Sequence, residues 1–247
     1  MRLEQFFQQH SKAALAFSGG TDSSLLLYEG IKCGCDIRPY FVKTAFQPQF
    51  ELDDAFALCT QLGVGLSVIE LDIFANRQVI ENQNERCYFC KKSLLGNLIS
   101  AAKADGYDEV IDGTNASDDA LDRPGMRALS EMGIISPLRR CGITKDEVRK
   151  MSELDGLFTA KKPSYACLAT RIPSGTEITA QMLDSVEKSE DFMTLLGFSD
   201  FRVRVNGDIA KIQLPRAQFS AAMEKSEQIY SLLSQYFKDV VLDLKPR

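Results

Sequence analysis

Short apolar runs of strand length alternate along the first half of the chain with stretches whose apolar residues recur every three or four positions. Residues 13–17 are uninterruptedly apolar. Residues 36–43 alternate through Ile37, Pro39 and Phe41, and 66–71 and 110–113 are two further strand-like runs. Between them helical spacing is carried by residues 2–11 (Leu3, Phe6, Phe7), 22–33, 50–62 (Ala55, Leu58, Cys59, Leu62) and 93–105. Strands that alternate with helices predict an α/β fold, a parallel sheet with helices on both faces. Ligands of such sheets bind at the carboxyl ends of the strands. The predicted strands all end in polar residues there: Ser18, Thr44, Asp72 and Thr114-Asn115.

The pattern changes beyond residue 113. Residues 113–123, GTNASDDALDR, are too polar and acidic for a core. Two helical pieces follow at 126–132 and 144–154, the second opened by a capping box of Thr144 and Glu147. Residues 156–178 lose periodicity and carry Pro163, Pro173 and a Ser-Gly turn, which reads as a linker or active-site loop. A second unit then begins. It has a helix at 179–196, strands at 201–205 and 209–214 joined by Asn206-Gly207-Asp208, helices over 216–237 and a last strand at 240–244. The expected organisation is an α/β domain at 1–165, a loop at 166–178 and a small α+β domain at 179–247.

Composition narrows the chemistry. The 247 residues carry a net charge of −5, which argues against a broad nucleic-acid footprint. No apolar run approaches the roughly 20 residues of a membrane span. The N-terminus lacks an apolar signal region, so a cytoplasmic location with reduced thiols is expected for the seven cysteines. His10 is the single histidine and reads as a surface residue of the first helix. Catalysis by a His base and His-rich zinc sites are thereby set aside.

Three stretches carry candidate chemistry. The first is residues 18–24, SGGTDSS, between the first strand and the first long helix. Glycines allow close backbone approach, and free N–H groups at a helix start favour an anion. The hydroxyls of Ser18, Thr21, Ser23 and Ser24 add donors, and Asp22 is placed to hold Mg²⁺ beside phosphates. The loop has neither the G-x-x-x-x-G-K nor the G-x-G-x-x-G pattern. It resembles the PP-loop of ATP pyrophosphatases, which bind ATP by its β,γ-pyrophosphate and transfer AMP. That resemblance implies an adenine nucleotide alpha hydrolase-like domain with ATP at Ser18, Gly19, Gly20, Asp22, Ser23 and Ser24, and Thr44 toward adenine.

The second is Cys87-Tyr88-Phe89-Cys90. Such a pair serves as a redox couple, half a metal site or two packed thiols. The third is the loop around Cys167, near Lys161, Lys162 and Arg171, where positive charge favours a thiolate nucleophile; packing as a small hydrophobe is the other reading. Cys33, Cys35, Cys59 and Cys141 read as structural. In residues 201–205, FRVRV, the strand period puts Arg202 and Arg204 on one face. Two guanidiniums about 7 Å apart suit a phosphate, although a solvated strand face explains the pattern as well. Glu190 lies near the apolar stripe of its helix, as an ion-pair partner or a binding group.

Taken together, SGGTDSS at 18–24, RCYFCK at 86–91, DGTNASDD at 112–119, RPGMRAL at 123–129, ISPLRRCGITKDEVR at 135–149, KPSYACLATRIPSG at 162–175 and FRVRVNGDIAKI at 201–212 resemble the ATP-dependent sacrificial sulfur transferases of the LarE family. These enzymes make the nickel-pincer nucleotide cofactor of lactate racemase. The resemblance implies that ATP and Mg²⁺ activate a carboxylate of pyridinium-3,5-dicarboxylic acid mononucleotide as an acyl-adenylate, which a sulfur nucleophile converts to a thiocarboxylate. It matches Cys167 to the family's sulfur-donating cysteine, and Glu190, Arg202 and Arg204 to its substrate phosphate site, where Arg171 is also placed. It further implies a [4Fe-4S] cluster on Cys87, Cys90 and Cys167, as in three-cysteine members. The cluster is the favoured source of sulfur over sacrifice of Cys167. A homo-oligomer, trimer or hexamer, is expected from the same resemblance. The competing readings are a tRNA thiolase, which needs a basic surface, an amidotransferase-type synthetase, which needs a Cys–His glutaminase, and a non-enzymatic nucleotide sensor.

Overall fold

The computed structural model describes residues 1–118 and 124–247. Asp119 and Arg123, which close two of the quoted motifs, and the acidic stretch between them lie outside the described residues. The chain forms two compact units, one of Met1–Ala75 with Glu85–Lys162 and one of Asn76–Asn84 with Pro163–Arg247.

The first unit opens with α1 (Leu3–Gln9), β1 (Lys12–Ala16), α2 (Thr21–Lys32), β2 (Asp36–Lys43), α3 (Gln49–Gln61) and β3 (Ser67–Glu70). The continuous apolar run at β1 follows from burial on both faces. Ala13, Leu15 and Phe17 pack with Leu25, Leu27 and Leu58, whereas Ala14 packs with Leu98 and Ala102 on the other side. Gly30 lets α2 lie close on β2, since a Cβ there would stand 2.8 Å from Cδ1 of Ile37. After α4 (Arg77–Ile80), which belongs to the second unit, come α5 (Arg86–Ala104), β4 (Val110–Asp112), α6 (Pro124–Glu131), α7 (Pro137–Arg140) and α8 (Lys145–Leu154). The sheet is parallel in the order β3-β2-β1-β4, with Leu15 beside Pro39 and Ile111. His10 follows α1 and is half buried, stacked on Phe6 with Nδ1 2.8 Å from Oε2 of Glu109, so it is not a free surface residue.

Helix α5 starts seven residues before the sequence pattern places it. No side chain caps its start. Its first turns are held by α6 instead: Arg127 pairs with Glu85 and lies 4.1 Å from the Tyr88 ring centre, and the Tyr88 hydroxyl donates to Glu131 at 2.6 Å. Cys87 and Cys90 therefore sit on a helix, three residues apart and on neighbouring positions of one face.

The second unit contains α9 (Ala180–Leu195), β5 (Arg202–Asn206), β6 (Ile209–Gln213), α10 (Phe219–Glu224), α11 (Ser226–Leu233) and β7 (Asp239–Leu242). Thr179 caps α9 through the N–H of Met182. The β5–β6 hairpin is antiparallel, with Asn206 opposite Ile209, and β7 runs parallel to β6. The unit boundary falls at Lys162/Pro163, and the loop at 166–178 lies in the second unit. Residues 76–84 join it as well. Their tie is Asn82, buried with φ +56°, whose amide donates to the carbonyls of Pro173 and Thr176 and whose carbonyl accepts from Gly175. The sequence shows no local signal for that exchange, because it depends on contacts across about ninety positions.

Candidate functional site

The loop after β1 is shaped by backbone constraints. Gly19 has φ +66°, and a Cβ there would stand 3.0 Å from the Glu51 carbonyl oxygen. Gly113, at the end of β4, approaches the same turn so closely that a Cβ would meet the Ser23 nitrogen at 2.9 Å. The hydroxyl of Ser23 lies 3.2 Å from that of Ser18 and donates to the Gly20 carbonyl. These contacts fix the turn from which α2 departs, with its first N–H groups open to an anion.

A cavity of about 340 Å³ lies over this turn, within the first unit. Ser18, Asp22 and Ser23 line it, with Asp112, Gly113, Thr114 and Asp118 from the β4 side. Leu94, Leu95, Leu98 and Leu129 form an apolar wall, and Lys91 lies beside them. An apolar slot next to an anion cradle is the shape a nucleotide needs. Of the other residues assigned to ATP, Gly19 and Gly20 shape the turn. Ser24 and Thr44 do not line the cavity. Ser24 is buried in the core, and the Thr44 hydroxyl donates to Gln47 Oε1 at 2.8 Å while accepting from the Phe46 N–H. Asp72, another polar strand end, caps a turn through the Phe74 N–H.

Asp22 is anchored from both sides. Its Oδ1 accepts from Asn115 Nδ2 at 2.9 Å, and Lys145 Nζ lies 2.5 Å from its Oδ2. Lys145 carries no signal in the sequence, where it is the residue after the Thr144 cap. Asp112 is a second acid on the cavity wall, bound by the hydroxyls of Thr114 at 2.5 Å and Ser136 at 2.6 Å. Lys162, expected to act on the thiol of Cys167, instead pairs with Asp54 at 2.5 Å and donates to the Gly19 carbonyl; Lys161 pairs with Glu153.

In the second unit, Arg171 and Glu190 form a bidentate ion pair, Nε to Oε1 at 2.8 Å and Nη2 to Oε2 at 3.0 Å. Their side chains are 0 % and 7 % exposed. Glu190 also accepts from the Tyr165 hydroxyl at 2.6 Å and the Val203 N–H at 2.9 Å. Arg171 Nη1 donates to the Ala166 carbonyl at 2.7 Å and to Thr170 Oγ1 at 2.9 Å. Burial works against the Arg171 charge, but the hydrogen bond and charge of Glu190 prevail and raise its pKa. These bonds tie the pair into the fold as a brace. It fixes the main chain around Cys167, whose carbonyl accepts from Thr170 N at 3.0 Å.

Arg202 and Arg204 differ from that pair. Their guanidiniums donate to the carbonyls of Phe201, Ser164 and Thr170 and to Gln213. Among the described residues neither pairs with a carboxylate. Arg202 is buried, and burial, with Arg171 and Arg247 adding repulsion, lowers its pKa to about 10; the same causes lower that of Arg204. Glu190 favours both charges but is itself paired with Arg171.

All seven cysteines are free thiols. Cys35 and Cys59 are buried, and burial pushes both pKa values up to about 11. Cys87 is exposed, and Cys90 and Cys167 are half buried. No group of three or more His, Cys, Asp or Glu residues is arranged to hold a metal ion among the described residues. The donor chemistry still suits iron–sulfur ligation. Cys87 and Cys90 present two thiols one helical turn apart, and thiolates are the ligands iron–sulfur clusters take. Mg²⁺ keeps most of its waters and needs only one or two protein carboxylates, so Asp22 suffices. No helix among the described residues is long and apolar enough to cross a membrane.

Comparison with known proteins gives relatives along almost the entire chain. An uncharacterised protein of Synechocystis is 37 % identical, over 98 % of this chain and 92 % of the relative. The pyridinium-3,5-bisthiocarboxylic acid mononucleotide synthase of Lactiplantibacillus plantarum is 31 % identical, over 94 % of this chain and 86 % of its own length. An uncharacterised protein of Methanocaldococcus jannaschii is 32 % identical, over 96 % and 91 %. No protein-family model matches the chain.

Proposed function

The chain belongs to the family of the pyridinium-3,5-bisthiocarboxylic acid mononucleotide synthases, the LarE sulfur transferases, and from that premise we propose that it uses ATP to turn a carboxylate of pyridinium-3,5-dicarboxylic acid mononucleotide into a thiocarboxylate. The observation that carries this reading is the cavity over the SGGTDSS turn, where an anion cradle, a carboxylate and an apolar wall meet. The substrate carboxylate attacks the α-phosphorus of ATP, the bond to the β-phosphate bridge breaks, and pyrophosphate leaves. The backbone N–H groups at the start of α2 and the hydroxyls of Ser18 and Ser23 donate to the phosphates. Asp22 would hold Mg²⁺, which supplies charge neutralisation. Arg202 and Arg204 take the phosphate of the mononucleotide.

A sulfur nucleophile then attacks the acyl-adenylate carbonyl, a C–S bond forms and AMP departs. In our reading Cys87, Cys90 and Cys167 would hold a [4Fe-4S] cluster, which would supply the sulfide. The other donor is Cys167 itself: its thiolate forms the thioester, and loss of the Cα proton with cleavage of the Cβ–S bond leaves dehydroalanine and the thiocarboxylate. Iron and sulfide analysis of anaerobically purified protein, with intact mass before and after turnover, separates the two. Iron-free, active protein that loses one H₂S per turnover overturns the cluster.

Exchange of labelled pyrophosphate into ATP tests the activation half. It is expected to require the dicarboxylate mononucleotide and to fall about 10²–10³-fold in Asp22→Ala, the usual cost of one electrostatic contact in a transition state. Nucleotide binding without exchange would mark a sensor instead.

A further inference from the structure

We propose that Tyr165 and Gln213 are positioning residues of the phosphate site, neutral spacers that orient Arg202 and Arg204 and keep the nearby carboxylates off them, so that both charges are left for the phosphate of the mononucleotide. This rests on reading Arg202 and Arg204 as the site of that phosphate. The two arginines lie on one face of β5. Among the described residues, every group that accepts a hydrogen bond from them is uncharged. Arg202 donates to the Phe201 carbonyl at 2.5 Å and to the Ser164 carbonyl at 2.7 Å. Arg204 donates to the Thr170 carbonyl at 2.7 Å and to Gln213 Oε1 at 2.6 Å.

Carboxylates are close to both arginines, but each is held one residue away. Glu190 accepts from the Tyr165 hydroxyl at 2.6 Å, and Arg202 lies 5.1 Å from the centre of the Tyr165 ring. Arg171 lies 4.4 Å from the same centre. Asp243 accepts from Gln213 Nε2 at 2.9 Å, while Oε1 of that amide receives Arg204. Each acid has a cation of its own, Arg171 for Glu190 and Lys211 for Asp243 at 2.9 Å. The residue types suit the task. An amide accepts from a guanidinium at one atom and donates to a carboxylate at the other. An aromatic face attracts a cation through its quadrupole and leaves the charge in place. A carboxylate at either position would hold its arginine more strongly, but it would neutralise the charge and repel a phosphate. Burial and the repulsion of Arg171 and Arg247 lower the Arg202 pKa to about 10, with Glu190 and Tyr165 acting against the shift, so the guanidinium stays charged at neutral pH.

The test is calorimetric titration of inorganic phosphate into the full chain. Gln213→Glu is expected to weaken binding by about tenfold or more, because it sets a like charge beside the anion. Gln213→Met removes the same hydrogen bonds without adding charge and is expected to lose about threefold or less. Tyr165→Leu removes the ring and is expected to cost about three- to fivefold, whereas Tyr165→Phe keeps the ring and stays within about twofold of wild type. Should Gln213→Glu fold poorly, Gln213→Glu combined with Asp243→Asn exchanges amide and carboxylate, keeps the hydrogen bond between them and is expected to show the same loss. Equal affinities of Gln213→Glu and Gln213→Met identify a purely structural tie and overturn the proposal, as do equal losses in Tyr165→Phe and Tyr165→Leu. Wild-type protein that does not bind phosphate overturns the reading of Arg202 and Arg204, and the proposal with it.

Discussion

Seven free thiols in one chain are set apart by what surrounds each of them. Burial holds Cys35 and Cys59 near pKa 11, so almost no thiolate forms at neutral pH. Cys87 is exposed at the start of a helix. Brief treatment with iodoacetamide at pH 8 is therefore expected to label Cys87 well before Cys35 or Cys59, read by peptide mass; equal labelling contradicts the burial. At this scale the sequence was informative where chemistry was local. The place of Cys35 just past a helix end, that of Cys59 on an apolar helix face and the loop position of Cys167 are visible in the letters. Lys145 is not, because its carboxylate partner lies 123 positions away. Nor is the division of labour among the arginines. The pattern FRVRV puts Arg202 and Arg204 on one face, but only the fold shows that Arg171 and Glu190 neutralise each other.

At the scale of elements, the turn that carries Cys167 is braced against α9 and β5 by the Arg171–Glu190 pair. Removing one partner of a buried ion pair leaves the other charge uncompensated, at about 3–5 kcal/mol. Glu190→Gln is expected to lower the unfolding free energy by that order, measured by urea denaturation; a loss below about 1 kcal/mol would show that the pair is dispensable. The end of the second sheet supplies a pH test. Hydrogen bonds from Gln213 first, then from Lys211 and the Lys245 N–H, lower the Asp243 pKa to about 2. A carboxylate depressed in the folded state stabilises above its ordinary pKa of about 3.9 and loses that contribution as pH falls toward 2. The melting-temperature difference between wild type and Asp243→Asn should be full above about pH 4 and vanish near pH 2. A difference constant with pH contradicts it. Strand β1 was legible as an unbroken apolar run, and β2 through the alternation of Ile37, Pro39 and Phe41. The start of α5 was not, since Arg127 and Glu131 of another helix hold it.

Over the whole molecule, a net charge of −5 coexists with a buried Arg202 and a half-buried Arg204, neither of them paired with a carboxylate among the described residues. The charged guanidinium of Arg202 is held at a cost that a bound anion recovers. Inorganic phosphate is expected to raise the melting temperature of wild type and to do so far less in Arg202→Met with Arg204→Met; equal shifts would remove the anion site. The alternation of strands and helices made the first unit legible, and the Asn-Gly hairpin announced the second. The membership of residues 76–84 in the second unit was hidden, because Asn82 makes its contacts at Pro173 to Thr176. The central claim is one reaction, activation by ATP and transfer of sulfur to a phosphorylated dicarboxylate. A single anaerobic turnover with ATP, Mg²⁺ and pyridinium-3,5-dicarboxylic acid mononucleotide, analysed by mass spectrometry, tests it most directly. One carboxylate oxygen replaced by sulfur, with AMP formed in equal amount, is the predicted result; an unchanged mononucleotide, with or without AMP, contradicts the account.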